Sequence, residues 1–201
     1  TAKAQAWLVH DSAVQVGKYI EDLKPDAIVV SSPHGIAAPE DFIFYFSPKG
    51  FGFSDTDNCA CPPCCYNLSV AMDTNGVEVL VSTLKDEKEK VSYLSAFGPP
   101  GKEDMPFPLR WGEVVPLYFA KNALGHSKVI VLSQPSRRYT KSVQMIPELT
   151  QLGRKMFKIL HSKPEKIVII ISADLAHTHL KSGPYGFSTA AERFDKEIGR
   201  A

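Results

Sequence analysis

Three histidines stand just after runs of apolar residues, where a β-strand would end. His34 follows the run "IVVSSP", and His177 and His179 follow "IVIIISADLA". An imidazole has an ordinary pKa of about 6.5, so it can take up or release a proton near neutral pH, and its neutral form binds metal ions. The sequence therefore predicts chemistry at the points where these two loops leave their strands.

An ordinary structural role is the alternative for each histidine of the chain. His34, His177 and His179 could be surface-loop residues without a function, and Asp174, just before the second pair, is interpreted as capping a local turn. His10 falls in the middle of a predicted helix, which is typical of a solvated helix face rather than of a metal ligand. The remaining two histidines stand at predicted helix ends, where an imidazolium is favourable without catalysis.

The segments that would position these loops alternate between helical and strand-like periodicity. Apolar residues recur at three- and four-residue steps in the segments predicted to be helices, which are Ala2–Leu23, Glu113–Leu124, Pro147–His161 and a last one from about Ser188. Continuous β-branched runs predict strands covered on both faces, at Ala27–Ser31, Val77–Val81, Val129–Leu132 and Ile167–Ile171. This order predicts one α/β domain over residues 1–201, with a largely parallel central sheet and helices on both faces.

The carboxyl ends of parallel strands, where the loops leave, are the usual place for chemistry in such sheets. We therefore expect the imidazoles of His34 and His177 to face one pocket. The distance between them should be roughly the width of a substrate, as proton transfer to a bound ligand requires.

Composition and charge exclude several classes of partner. The 23 Lys and Arg residues nearly balance the 22 Asp and Glu residues, and the formal net charge is +1. No basic stripe interleaved with aromatic residues indicates nucleic acid. No segment approaches the roughly 20 apolar residues of a membrane span, and the start of the chain lacks the pattern of a secretory signal. We expect a cytoplasmic protein with no nucleic-acid or membrane partner. The oligomeric state stays open, a homo-oligomer included.

The segment "CACPPCC" contains all four cysteines, which are Cys59, Cys61, Cys64 and Cys65. A CxxC spacing is used for zinc and redox chemistry, but no second pair of ligands stands at zinc-ribbon distance. Disulfides are not expected in the cytoplasm, and two prolines inside the motif argue against a redox CxxC that opens a helix. A loop over the pocket is the favoured interpretation, with a structural zinc as the alternative.

Three segments together resemble a known family. "PDAIVVSSPHG", "WGEVVPLYF" and "ISADLAHTH" with the later "GPYGFSTAAERFD" resemble, in order and spacing, the LigB-type class III extradiol ring-cleavage dioxygenases and their Memo-like relatives. The resemblance extends from about Lys24 to near the end of the chain. It implies an oxidoreductase with a non-haem Fe(II) ion held by two histidines and one carboxylate. A catechol-type aromatic substrate and O₂ would bind at the open positions of this ion.

The resemblance also implies roles for individual residues. His34 matches a metal-ligand histidine, and His177 matches the acid–base catalyst beside the metal. His179 is interpreted as a substrate-binding residue at the rim of the pocket. Trp111 stands where many relatives have a histidine, and it could stack on an aromatic ring or pack in the core.

Two ligands of the family pattern are expected to be missing. Relatives carry their first histidine ligand before the helix that opens this chain, and their carboxylate ligand beyond Ala201. Two functions therefore stay open. One is an Fe(II) extradiol dioxygenase or its catalytic portion. The other is a metal-free relative that binds a small ligand or a protein, since fold does not fix function.

Overall fold

The computed structural model describes residues 2–54, 66–97 and 105–200. In this part of the chain the strands are β1 (Ala27–Ser32), β2 (Phe42–Tyr45), β3 (Lys49–Phe53), β4 (Asn67–Ala71), β5 (Val91–Leu94), β6 (Phe107–Leu109), β7 (Lys128–Ser133) and β8 (Ile167–Ile171). The helices are α1 (Ala2–Leu23), α2 (Thr74–Asp86), α3 (Trp111–Phe119), α4 (Arg138–Lys141), α5 (Ile146–His161) and α6 (Ala190–Ile198), with a 3₁₀ turn at Ala123–Gly125. The cysteine segment lies outside the described residues.

The central sheet has five strands in the order β5-β2-β7-β1-β8. β1 is parallel to both β7 and β8, and β2 is parallel to β5. β2 pairs antiparallel with β7, so the sheet is largely but not wholly parallel. The predicted α/β class is confirmed.

Helices cover both faces of this sheet because side chains alternate along its strands. Ile28 and Val30 of β1 enter one buried cluster with side chains of α1 and α3. Val29 enters a second cluster with side chains of α2 and α5. Burying an aliphatic side chain of this size contributes about 1.5–3 kcal/mol, so the two clusters hold the sheet between its helices. Among the described residues, no helix is long and apolar enough to cross a membrane.

The prediction of a strand at Val77–Val81 was wrong, because this segment lies inside α2. Asp73 begins the helix, and its Oδ1 accepts a hydrogen bond from the Gly76 amide at 3.0 Å. The buried residues follow the helical spacing, and they are Val77, Leu80, Val81 and Leu84. The β-branched composition favoured a strand, but the side-chain capping bond and the packing of this stripe outweigh that preference.

The prediction that every strand is covered on both faces was wrong for β8. This strand lies at the edge of the central sheet, and 46% of Ile169 and 65% of Ile171 are exposed. The predicted Glu113–Leu124 helix begins two residues earlier and ends at Phe119.

A second sheet of three strands, in the order β4-β3-β6, was not predicted. Exposed and buried residues alternate along β3, and both of its buried positions are glycines. A Cβ at Gly52 would collide with the backbone carbonyl of Leu109, so β6 can approach β3 only where no side chain intervenes.

Candidate functional site

The two histidine-bearing loops leave neighbouring strands at the same edge of the central sheet. Ser31 of β1 is in register with Ile171 of β8, and the Ser172 amide donates to the Ser31 carbonyl at 2.9 Å. Because the strands are parallel, their carboxyl ends lie side by side. Contact between the imidazoles of His34 and His177 stays a prediction.

His34 stacks on Trp111, and we refer to them as the His34–Trp111 pair. Their ring centroids are 4.2 Å apart and their planes are inclined by 29°. Both residues are half-buried. The choice between stacking on a ligand and packing in the core stays open for Trp111. A Cβ at Gly112 would come within 2.9 Å of the His34 Cβ, so this glycine lets the start of α3 approach the loop.

Hydrogen bonds fix the backbone on both sides of His34. The His34 amide donates to Ser32 Oγ at 3.2 Å. The Ile36 amide donates to Tyr45 Oη at 2.8 Å. Between them, a Cβ at Gly35 would meet Tyr45 Oη, and it would lie 2.6 Å from Glu113 Oε1. A side chain at position 35 would therefore have to displace these groups.

Glu113 is a fully buried carboxyl beneath the His34–Trp111 pair. Its Oε2 accepts a hydrogen bond from the Arg110 amide at 2.8 Å. Its Oε1 has no hydrogen-bond partner among the described residues. Ser133 Oγ also has no partner among the described residues that meets the distance and angle of a hydrogen bond, although the Tyr45 hydroxyl lies close to it.

The buried environment changes the ionisation of these groups. Burial raises the pKa of the Glu113 carboxyl, and hydrogen bonds from Ser32 and the Arg110 amide offset only part of this effect. Burial also raises the pKa of the Tyr45 hydroxyl. Burial lowers the pKa of His34, the Arg138 charge lowers it further, and the Asp174 charge acts in the opposite direction. His34 is therefore a neutral imidazole at pH 7.

The loop after β8 is more exposed. His177 Nε2 lies 3.7 Å from Asp174 Oδ2, and 55% of each side chain is exposed. His179 Nε2 lies 2.7 Å from Asp195 Oδ2. Asp195 Oδ1 also accepts the Ala176 amide at 2.8 Å, and this bond is the main reason for the lowered pKa of that carboxyl. Asp195 of α6 thus holds the loop after β8 against that helix.

The structure brings the predicted site residues together as separate pairs. His34 contacts Trp111, His177 lies near Asp174, and His179 binds Asp195. No three His, Cys, Asp or Glu side chains of the described residues are placed to hold one metal ion.

Sequence reasoning missed Tyr45, Glu113, Ser133 and Asp195. Glu113 had a signal, because it is an acidic residue in the apolar segment "WGEVVPLYF". Tyr45 and Ser133 had no signal, since each comes near the site only through strand pairing. Asp195 stands in an ordinary amphipathic helix, so neither its type nor its spacing distinguished it.

Comparison with known proteins gives a partial match. No family model matches the chain. It is similar to Protein CA_C1420 of Clostridium acetobutylicum, with 33% identity over 87 residues. The match covers 43% of this chain and 17% of that protein, so only a segment of this chain corresponds to a small part of a longer protein.

Proposed function

We propose that this chain is an Fe(II)-dependent extradiol dioxygenase, or its catalytic portion, that cleaves a catechol-type aromatic ring with O₂. The observation that carries the proposal is the shared edge of β1 and β8, where His34 and His177 leave neighbouring parallel strands. The family resemblance assigns chemistry to both residues. The cytoplasm is the compartment we propose, because ferrous iron is maintained under reducing conditions.

The donor atoms of the described residues fit such a metal only in part. His34 has the right type and protonation, since a neutral imidazole binds Fe(II). However, no group of three potential ligands is present among the described residues. Bound Fe(II) would supply the activation of catechol and O₂. The described residues therefore define roles around a ligand rather than a complete metal centre.

The chain's own residues can bind and orient an aromatic ligand. Trp111 offers a half-buried indole beside His34, and stacking on such a ring contributes about 0.5–1.5 kcal/mol beyond area burial. His177 is exposed to water, so it can take the proton of a bound hydroxyl and exchange it with solvent. His179 would contact the ligand at the rim.

An anaerobic Fe(II) titration, followed by oxygen uptake with a panel of catechols, tests this proposal. In a version of the chain extended at both ends, we expect His34→Ala to abolish iron binding and oxygen uptake, and His177→Ala to keep iron binding while lowering the rate. His161→Ala is the matched control, because His161 stacks on Phe157 at the end of α5. Loss of iron binding in His161→Ala alone, or full activity in His34→Ala, would contradict the assignment.

The stacking of His34 on Trp111 supports a second candidate, a metal-free module that binds a planar aromatic ligand on the His34–Trp111 pair. Calorimetry with catechols in the presence of a chelator separates the two. Binding that survives the chelator and is lost in Trp111→Ala favours the module. Binding that requires Fe(II) favours the dioxygenase.

A further inference from the structure

The carboxyl group of Glu113 lies at a place where packing alone would favour an apolar side chain. Its neighbours on α3, Val114 and Leu117, are fully buried, and so is Glu113 itself. Burying a carboxyl costs free energy unless it is hydrogen-bonded, and here one oxygen has no hydrogen-bond partner among the described residues. Glu113 is the N3 residue of α3 and closes a capping box with the Arg110 amide, but a capping box does not require a fully buried carboxyl, and the proposed chemistry does not use it.

The other oxygen connects the two members of the His34–Trp111 pair. Oε2 accepts the amide of Arg110, the residue directly before Trp111. The Ser32 hydroxyl bonds the same carboxyl group, and Ser32 Oγ accepts the amide of His34. One buried side chain therefore holds the backbone at the start of α3 and, through one hydroxyl, the backbone of His34.

The second oxygen of Glu113, Oε1, lies beside the turn at Gly35. Oε1 lies 2.6 Å from where a Cβ of residue 35 would be, and the hydroxyls of Tyr45 and Ser133 border the same space. Tyr45 in turn binds the Ile36 amide. The turn that carries the His34 imidazole is thus enclosed by oxygen atoms from α3, β2 and β7.

We propose that Glu113 is the positioning residue of this site, and that it sets the stacking of His34 on Trp111 and hence the direction of the imidazole. The inference rests on the proposed function only in that His34 acts there; the stack itself requires neither iron nor substrate. Glu113 acts through Ser32 and Arg110 and does not touch the ligand.

Tryptophan fluorescence reports the stack directly, because a protonated imidazole in contact with an indole quenches its emission. The chain has two tryptophans, and Trp7 lies 5.4 Å from the ring of His10. The titration is therefore done in a Trp7→Phe background, where Trp111 gives the whole signal. His34→Ala should remove the pH-dependent quenching, which identifies its source.

We expect the emission of the Trp7→Phe protein to fall with decreasing pH as the imidazole in contact with Trp111 is protonated. Glu113→Ala should lose most of this quenching amplitude, because the two rings no longer stack. Glu113→Gln should keep the amplitude, because the amide oxygen can still accept the Arg110 amide. Glu148→Ala is the control, since Glu148 is also the third residue of a helix but pairs with Arg137 instead.

Glu113→Ala that folds and keeps the quenching amplitude would overturn the proposal, as would Glu113→Gln that behaves like the alanine variant. If circular dichroism shows that Glu113→Ala does not fold, Ser32→Ala decides, because it removes the hydroxyl that joins Glu113 to the His34 amide and keeps the bond between Glu113 and Arg110. Loss of quenching amplitude in that variant supports positioning, and an unchanged amplitude contradicts it. An inactive enzyme with an intact stack would instead count against the proposed function alone.

Discussion

The two histidine-bearing strand ends differ in how the fold holds them. His34 follows an interior strand, stacks on Trp111 and has backbone hydrogen bonds to Ser32 and Tyr45 on either side. His177 follows the edge strand and is exposed, and its loop is tied to α6 by one carboxylate. A buried strand supplies neighbours from several elements, whereas an edge strand has few. The first histidine is therefore held by several elements of the core. The second has only an edge contact with Tyr185, and its loop is held near the surface by the Asp195 carboxylate and by backbone pairing with Phe187 and Ser188.

The largest effect is expected from Gly35→Ala. The added Cβ would lie 2.6 Å from Glu113 Oε1 and 2.7 Å from Ser133 Oγ, so the turn must shift. We expect a loss of about 1–3 kcal/mol in the free energy of unfolding, as is usual for overpacking a buried site. Urea denaturation gives the value.

Gly153→Ala is the matched control, since no atom lies within 4 Å of a Cβ built at that helical position. This substitution should stabilise the protein by up to about 1 kcal/mol, because alanine is the better helix former. If both alanine variants change stability alike, the enclosed turn at Gly35 is not a constraint.

The ionisation of Glu113 should appear in the pH dependence of stability. The pKa of Glu113 is higher in the folded protein than its ordinary value of 4.5. The protonated carboxyl therefore contributes its full stability below pH 4.5, and this contribution is lost as the pH rises through the folded pKa. Glu113→Gln cannot ionise. We expect it to gain stability relative to the wild type as pH rises above 4.5, by about 1.4 kcal/mol for each unit of raised pKa.

Urea denaturation of both proteins from pH 4 upward measures this difference. A constant gap between the two stability curves would mean that Glu113 titrates as in the unfolded chain.

Removing the Asp195 carboxylate, which binds the loop after β8, should affect only that loop. In Asp195→Ala both the Ala176 amide and His179 lose their partner. We expect faster hydrogen exchange of the Ala176 amide, with no change at the His34 amide, which donates to Ser32. Exchange measured by NMR compares the two loops in one sample. Equal acceleration at both amides would show that the loops do not differ in this way.

The smallest effect concerns the charges around His34. Arg138 lowers the pKa of this imidazole and Asp174 raises it. Arg138→Gln should therefore raise the midpoint of the His34 titration, and Asp174→Asn should lower it. Imidazole proton NMR follows both, with His161 as the internal reference. Shifts of the same sign in the two variants would contradict the placement of these charges.

The elements that the sequence predicted are those in which pattern and packing agree. Ala2–Leu23 is a helix from end to end, and β1, β7 and β8 lie where continuous β-branched runs predicted them. The Val77–Val81 segment was predicted as a strand because its residues are largely β-branched. It is helical because its apolar residues, at helical spacing, pack against the sheet, and this packing is not visible in the sequence.

The candidate site was predictable only in its exposed parts. A histidine after a strand has a pattern that can be read from the sequence. The residues that surround it come from distant segments, since Tyr45 follows His34 by 11 positions and Glu113 by 79. They meet only through sheet pairing and helix docking. Asp195 reaches the second loop in the same way.

The most direct test of the central claim is an anaerobic titration with catechol, followed through the imidazole signals of isotope-labelled protein. The titration is run with a chelator and then with Zn(II) as a diamagnetic substitute for Fe(II). In one of the two conditions, we predict that His34 and His177 shift together with a single Kd, while His10 and His161 do not move. If His34 and His177 respond in neither condition, or respond with different Kd values, the two strand ends do not form one site.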